Sequence, residues 1–583
     1  MSVKLAYKWK VMIVVAVGIW MIVLDSTVIN VAFPTLRHEF SASVDNTQWV
    51  ISIYVLALGI ATPLAGILAD RLGLKRIYIA GLSLFVLGSL LSGFASSLWL
   101  LISARALQGL GGGIAQPLAV ALLFMTFPLR EQGRAFGIFG VVMVAAPALG
   151  PILGGLLVDL SPWRWIFFIN IPIGLLGIAL AAKLLHPSQT AQTTNFNPLR
   201  VIPVVLGFGS VLIGASRVSQ YGWGSQLVLG SLAIGAVALC TFAIVELKLV
   251  QQPLLDLRLF RNRTFLTASL VGYVAVIALF GAEFLMPVYL QSLRGRTALQ
   301  SGVILLPLAI VAGIINPIAG RLYDKIGPRI LVVIGSVVLL VNTWQFAGLQ
   351  ASTCIDRILV LLGLRGLAIS LIMQATITTA LGSVPRDAVP RGSSVVNSTR
   401  FVAQALGVAL LATIMASAIS PEVKQFEQQN QSGTALERFG LCENTSAEVA
   451  SIPTNNVSAI HRACEESLSG LRRAYVVTFC AAAVALLLGL LLPGWPSDWD
   501  GGGDLSSVEQ RRQTDTARVF SERAPSLTSI EQETAIQRST GQKNPSTLLA
   551  TVRSHTAMSN SNRFAGDERG TKLFDGDITT TQH

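Results

Sequence analysis

The chain has 583 residues, of which 52% are hydrophobic and only 13% charged, at a mean hydropathy of +0.62. A soluble domain carries about 25% charged residues, so these values exclude a globular enzyme and point to a chain built for lipid. The formal charge of +12 does not signal nucleic acid, because residues 494–583 hold 12 acids and 10 bases and the excess lies in the connections between apolar runs.

Apolar stretches of spanning length recur from residue 11 to residue 493. They predict an all-α polytopic membrane protein with fourteen spans of roughly 20 residues each. The limits are 11–33, 47–69, 77–96, 100–126, 134–158, 164–185, 199–217, 227–248, 266–290, 300–320, 329–349, 357–381, 397–419 and 472–493. The first run lacks a small-residue cleavage site and continues into Asn30 and Pro34, so it reads as a retained helix rather than a removed signal peptide. Bases gather in alternate connections: Lys4, Lys8 and Lys10; Arg71, Lys75 and Arg76; Arg130 and Arg134; Lys248, Arg258, Arg261 and Arg263; Arg321, Lys325 and Arg329; Arg386 and Arg391. The other side carries scattered bases such as Arg37, Arg164, Arg294 and Arg296. The positive-inside rule then places both termini in the cytoplasm and the chain in the cytoplasmic membrane.

An internal repeat organises these spans. The run Pro63-Leu-Ala-Gly66-Ile-Leu-Ala-Asp70-Arg-Leu-Gly73 returns as Pro317-Ile-Ala-Gly320-Arg-Leu-Tyr-Asp324-Lys-Ile-Gly327, every position 254 residues further on. Arg105 has a similar counterpart in Arg365. Two related six-helix halves with substrate bound between them is a transporter architecture. The alignment gives a first bundle in residues 1–190, an inserted helix pair in 191–262 and a second bundle in 263–494. A polar extracytoplasmic loop is expected at 420–471, and the Ser-, Thr- and Gln-rich tail, 495–583, has the composition of a disordered cytoplasmic segment.

Asp25 sits near the middle of the first span, where a carboxylate costs about 2.5–3.5 kcal/mol on insertion scales. It is expected to face a water-filled cavity and exchange a proton there; a structural hydrogen bond to Asn30 or Thr27 is the alternative. Arg105 is a permanent cation in the fourth span and needs a carboxylate, a carbonyl or water, unless it snorkels to the interface. Glu283, in the ninth span, is a second embedded acid, suited to a proton or to a cationic group of a substrate, or else solvated near the outer mouth. Asn30, Gln108, Gln116, Asn170, Asn316, Gln345, Gln374 and Gln404 either line a cavity or bond helix to helix. Asp159 and Glu246 fall at span ends and read as interfacial, while Cys240 and Cys480 read as core. Cys442 and Cys464 share one loop and can pair in an oxidising compartment. There is no GxxxxGK[ST] phosphate loop, no metal-ligand spacing and no plausible nucleophile–base pair, so the sequence implies no cofactor, no metal and no enzymatic activity.

Residues 66–76, Gly-Ile-Leu-Ala-Asp-Arg-Leu-Gly-Leu-Lys-Arg, resemble the connection between the second and third spans of the major facilitator superfamily, with Leu74 where a base is common. The resemblance implies conformational gating by Gly66, Asp70, Arg71, Gly73 and Arg76, and by Asp324 in the repeat. Residues 101–113 are similar to the superfamily's fourth-span signature, which implies a role for Arg105 in proton coupling. Gly137, Ala146, Gly150, Pro151, Gly154 and Gly155 resemble the fifth-span signature of its antiporters, Ala146 replacing a usual glycine. Gly150, Pro151 and Gly154 join the gating set. Leu24–Pro34, with Phe33 for a usual leucine, and the run from Trp163 to Gly174 are similar to the fourteen-helix drug:proton antiporter family.

That resemblance implies export of hydrophobic or amphipathic compounds in exchange for protons, with Asp25, Arg105 and Glu283 coupling and Asn30, Gln108, Gln116, Glu283 and Gln374 meeting substrate. The partners implied are a small molecule, protons and membrane lipids; a periplasmic adaptor protein is compatible with the family. The alternatives are a dedicated exporter of one metabolite, siderophore or lipid, an uptake symporter, or a receptor or scaffold acting through the tail.

Overall fold

The computed structural model of the protein describes residues 6–160, 162–187, 201–248, 255–420, 423, 442 and 454–494. Among these residues the chain is helical throughout, without strands. The helices are α1 (Tyr7–Glu39), α2 (Val44–Leu72), α3 (Leu74–Gly93), α4 (Leu98–Thr126), α5 (Gln132–Leu160), α6 (Trp165–Phe168), α7 (Asn170–Leu184), α8 (Val201–Tyr221), α9 (Gln226–Lys248), α10 (Arg263–Val288), α11 (Ala298–Ile326), α12 (Pro328–Ala347), α13 (Ile355–Gly382), α14 (Val389–Ser417) and α15 (Thr454–Leu490).

Thirteen helices among the described residues are long and apolar enough to cross a membrane, α6 and α7 acting as one with a turn at Ile169. The ninth expected span, 266–290, coincides with α10, whose apolar portion, Arg263–Leu279, is shorter than a span. The protein is thus an all-α multi-pass membrane protein; among the described residues thirteen helices have the length and composition of a span, against fourteen expected. One limit moves substantially. α15 begins at Thr454, inside the loop expected at 420–471, because hydropathy registers only the lipid-embedded part of a helix. The polar first turns of α15 are tied down locally: Glu466 accepts from the backbone N–H of Ser420 at 2.7 Å. The tail, 495–583, lies outside the described residues.

Local chemistry sets the helix ends. Ser43, Ser97 and Asn262 cap the starts of α2, α4 and α10 with side-chain oxygens. Thr297 and Gln300 form a reciprocal capping box on α11. The two repeated turns both need glycine: Gly73 ends α2 at φ 92° and Gly327 ends α11 at φ 78°, conformations that side chains disfavour. Pro287 precedes a π-helical turn at Tyr289–Leu293 that ends α10.

α1 packs on α4, α5 and α7, with α2 and α3 on α4. In the later part of the chain α10 packs on α13, α14 and α15, α11 on α13, and α12 on α13 and α15. These two sets meet where α5 crosses α11 and where α2 and α4 reach α14. The pair α8 and α9 stands apart: α8 lies against both α2 and α14, and α9 packs on α8. Trp223, after α8, donates its indole N–H to Thr413 of α14 at 2.7 Å, and Arg217 of α8 lies 4.3 Å over the Trp49 ring of α2. α9 turns Leu229, Ile234, Val237 and Ile244 outward, as a lipid-facing helix does.

One sequence expectation changes here. Cys240 and Cys480 are exposed on their helices, not core. Glu246, in the last turn of α9, is 1% exposed. Asp159 lies outside the described side chains. Cys442 and Cys464 form a disulfide, with Cα atoms 5.4 Å apart, and the Cys442 N–H donates to the Leu293 carbonyl at 2.9 Å. In the purified, denatured protein a maleimide is therefore expected to label Cys442 and Cys464 only after a reductant is added, whereas Cys240, Cys354 and Cys480 label without one. Labelling of Cys442 or Cys464 without reductant would count against the pairing.

Candidate functional site

The embedded acid of α1 is sealed inside a polar cluster. Asp25 is 2% exposed and Arg105 is fully buried, and Arg105 Nη1 meets Asp25 Oδ2 at 2.5 Å. The same nitrogen donates to Gln108 Oε1 at 2.8 Å, while Gln108 Nε2 donates to Asp25 Oδ1 at 2.9 Å. Asn170, from the start of α7, donates to Asp25 Oδ1 at 2.7 Å. Arg105 Nε donates to the Val50 carbonyl at 3.2 Å, and its guanidinium lies 4.1 Å from the centre of the Tyr54 ring. The Tyr54 hydroxyl donates to the Ile22 carbonyl at 3.1 Å, closing the cluster against α1.

The sequence spacing explains the convergence. Arg105 and Gln108 are three residues apart and share a face of α4. That face can approach α1 and α3 because Gly109, Gly111 and Gly113 let α4 run close to α2 and α3. The expectation that Asp25 faces a water-filled cavity is corrected: in this conformation the carboxylate is buried and ion-paired. Its alternative partners do not bind it either, since Thr27 donates to the Leu24 carbonyl and Asn30 is exposed. Arg105 does not snorkel. Gln108 is part of the cluster rather than the wall of an open cavity.

The second cluster joins the two helix sets at the ends that carry the basic connections. Asp70 forms an ion pair with Arg391 near the start of α14. A side chain at Gly66 would lie 2.9 Å from Arg391 Cα and the Pro390 carbonyl, so α2 and α14 touch through backbone. In the repeat, Asp324 Oδ1 and Oδ2 accept from the backbone N–H groups of Gly133 and Arg134, at 2.8 and 2.9 Å, at the start of α5. A carboxylate there also meets the positive end of the helix dipole. Gly320 and Gly133 face one another so closely that a Cβ on Gly320 collides with the Gly133 carbonyl. Ser393 adds a 2.8 Å bond to the Pro117 carbonyl, and Gln374 Nε2 donates to the Phe136 carbonyl. Gln374 is thus buried at a helix crossing, not on an open substrate surface.

Other expected positions are placed as follows. Lys75 binds the Ala182 and Leu185 carbonyls at 2.6 Å each, Arg71 is partly buried and Arg76 is exposed. Gly150 and Gly154 receive Thr27, Val28 and Val31 of α1, as a smooth helix face should. Gln116 is partly buried, and its Oε1 has no hydrogen-bond partner among the described residues. The side chains of Pro151 and Glu283 lie outside the described ones. Arg365 is buried like Arg105, donating to the Ala278 carbonyl at 2.7 Å and to Asn342 at 3.4 Å. Sequence reasoning missed Ser89 and Asn342, which no charge or motif singled out, and the pairing role of Arg391.

The profile of the Major Facilitator Superfamily matches residues 15–408. The chain belongs to that superfamily. It is 32% identical to the uncharacterized MFS-type transporter YhcA of Bacillus subtilis, covering 82% of this chain and 92% of the relative. Lincomycin resistance protein LmrB of the same organism is 32% identical over 67% of this chain and 82% of its own. Multidrug resistance protein Stp of Mycobacterium tuberculosis is 30% identical over 85% and 94%. Two solved superfamily structures share the fold. The human organic anion transporter MFSD10 matches at TM-score 0.56 and 12% identity, over 83% of this chain and 99% of its own. The proton:xylose symporter XylE matches at 0.52 and 13%, over 83% and 95%. The protein is therefore a multi-pass membrane transporter.

Proposed function

We propose that this transporter is a proton-coupled antiporter that exports hydrophobic or amphipathic drug-type compounds across the cytoplasmic membrane, with both termini cytoplasmic. The sealed Asp25–Arg105 pair carries this reading. A proton on Asp25 would leave Arg105 as a buried cation without its counter-charge, which costs about 3–5 kcal/mol where such pairs are broken. The buried conformation therefore suits the charged pair, and a change in that charge favours a rearranged one. The Asp70–Arg391 and Asp324–α5 contacts hold the basic face closed in the ionised conformation. Two six-helix bundles, 1–190 and 263–494, rock about this contact, and the fourteen-span count and inserted pair 191–262 belong to the same reading. One charge crossing 100 mV is worth about 2.3 kcal/mol, enough to bias such an equilibrium. The relatives named for multidrug and lincomycin resistance support an export direction and a drug-type substrate.

Proteoliposomes with an imposed pH gradient, ethidium and lincomycin as probes, and an internal pH dye test the proposal. Each transported probe is expected to elicit opposite proton flux, and collapsing the gradient to stop accumulation. Probe movement that ignores the gradient would overturn the coupling.

A further inference from the structure

α10, α13 and α14 enclose a recess with about 250 Å³ of empty space. Ser269, Gly272 and Tyr273 of α10, Met373 and Thr376 of α13, and Arg400 of α14 line it. Ser393 stands seven residues before Arg400, on the same face of α14, and donates to the Pro117 carbonyl of α4 at 2.8 Å. Gln374, next to Met373, donates to the Phe136 carbonyl of α5. The recess therefore lies where the second helix set faces the first, about 10 Å along α14 from the Ser393 contact. A transporter built from two related halves holds its substrate at that border.

The chemistry of the recess is one-sided. The Thr376 hydroxyl has one hydrogen, shared between the Ile372 and Met373 carbonyls at 3.0 Å each. Thr399 gives its own to the Val395 carbonyl at 2.7 Å, so the Tyr273 hydroxyl donates to Thr399 and its ring is pinned as a wall. Arg400 Nη2 donates to the Met373 sulfur at 3.7 Å, a soft and weak acceptor. Its guanidinium carries five N–H donors in a planar fork that matches a carboxylate. Among the described residues that line the recess none is acidic. A permanent cation beside an aromatic ring and a thioether disfavours a cationic ligand and gives an anionic one its counter-charge.

We propose that this recess is a subsite for anionic amphipathic substrates: Arg400 takes a carboxylate through both arms of its fork, and Tyr273 and Met373 take the aromatic body that bears it. The inference narrows the substrate class of the drug-type exporter proposed above and rests on that reading. Burying a carboxylate is costly unless it meets an opposite charge, so the guanidinium selects by charge. The volume lies below the range of about 300–1,000 Å³ that holds a whole drug-sized ligand. The recess therefore takes the charged end and a small ring system, and a larger substrate extends beyond it.

The test is isothermal titration calorimetry on the purified full-length protein in phosphatidylcholine nanodiscs, with no pH gradient. The probes are naphthoate, its neutral amide naphthamide and the cation naphthylmethylammonium. Naphthoate is expected to bind most tightly and the ammonium least. Arg400→Gln should weaken naphthoate by about 10–100-fold, the range for hydrogen bonds to a charged group, and leave naphthamide unchanged. Arg400→Lys, which keeps the charge and loses the fork, should fall between. Gly272→Leu tests volume apart from charge: a Cβ there already meets Thr376 at 3.5 Å, so the longer side chain occupies the recess and weakens naphthoate with Arg400 in place. Naphthoate bound equally by the wild type and Arg400→Gln, or by the wild type and Gly272→Leu, would overturn the inference. Loss of wild-type naphthoate binding when phosphatidylglycerol replaces part of the phosphatidylcholine gives the recess to a lipid head group and overturns it too. If Arg400→Gln does not fold, Arg400→Lys and Gly272→Leu decide. Arg400-dependent binding in a protein whose transport ignores the pH gradient sinks coupled export and leaves the subsite standing. Gradient-driven export of ethidium without Arg400-dependent binding sinks this inference alone.

Discussion

Asp25→Asn is expected to abolish gradient-driven efflux while the protein remains in the membrane, and to lower its melting temperature. The two effects have different causes and can be separated. The amide still fits among Gln108, Asn170 and Arg105, but it carries no charge, so the fully buried guanidinium loses its counter-ion. Leaving one partner of a buried pair alone costs about 3–5 kcal/mol. Removing both charges, in Asp25→Asn with Arg105→Gln, relieves that cost. The double variant is expected to recover most of the melting temperature and none of the coupled efflux. Thermal melts and proteoliposome flux on the single and double variants measure this. If the double variant regains efflux against a pH gradient, Asp25 is a structural ion and the proton enters elsewhere.

Much of this cluster was visible as a set of needs rather than as a set of contacts. Asp25 and Arg105 stand out because charge in an apolar run demands a partner. That they satisfy each other follows from α1 packing on α4, 80 residues away in sequence, which hydropathy cannot report. Asn170 and Gln108 were legible only as polar residues of undecided role. Ser89 gave no signal, because a lone serine on a membrane helix ordinarily bonds its own preceding turn; here it bonds Phe167, 78 residues on.

The repeat made Asp70 and Asp324 legible as a matched pair, and the turns at Gly73 and Gly327 followed from the same match. Their partners did not. Arg391 lies 321 residues from Asp70, and the groups that hold Asp324 are backbone N–H groups, invisible in residue types. The internal symmetry is consequently one of position and not of chemistry: one acid is held by a side chain, the other by a helix start. Gln374 was misplaced for a related reason, since a glutamine that bonds a carbonyl across a helix crossing has the same local sequence as one that faces solvent.

That asymmetry predicts which half of the closed face is harder to disturb. The α5–α11 crossing brings backbone against backbone at Gly133 and Gly320, so no rotamer change can make room for a side chain. Gly320→Leu is expected to hold the basic face open. Overpacking of this kind costs about 1–3 kcal/mol, which displaces a two-state equilibrium by a factor of about 5–150. Asp70→Asn removes only the Arg391 ion pair, both of whose side chains retain some exposure, and should displace it less. Spin labels at Arg76→Cys and Arg386→Cys, both exposed, in a background with Cys240, Cys354 and Cys480 replaced by serine, report the separation across that face. Gly320→Leu should show a longer distance and lose efflux, whereas Gly155→Ala on α5, where an added Cβ meets nothing within 4 Å, should match the wild type. An unchanged distance distribution with intact efflux in Gly320→Leu would mean that the crossing is not part of the conformational switch, because a closure that tolerates a leucine there cannot be the closure drawn by these backbones.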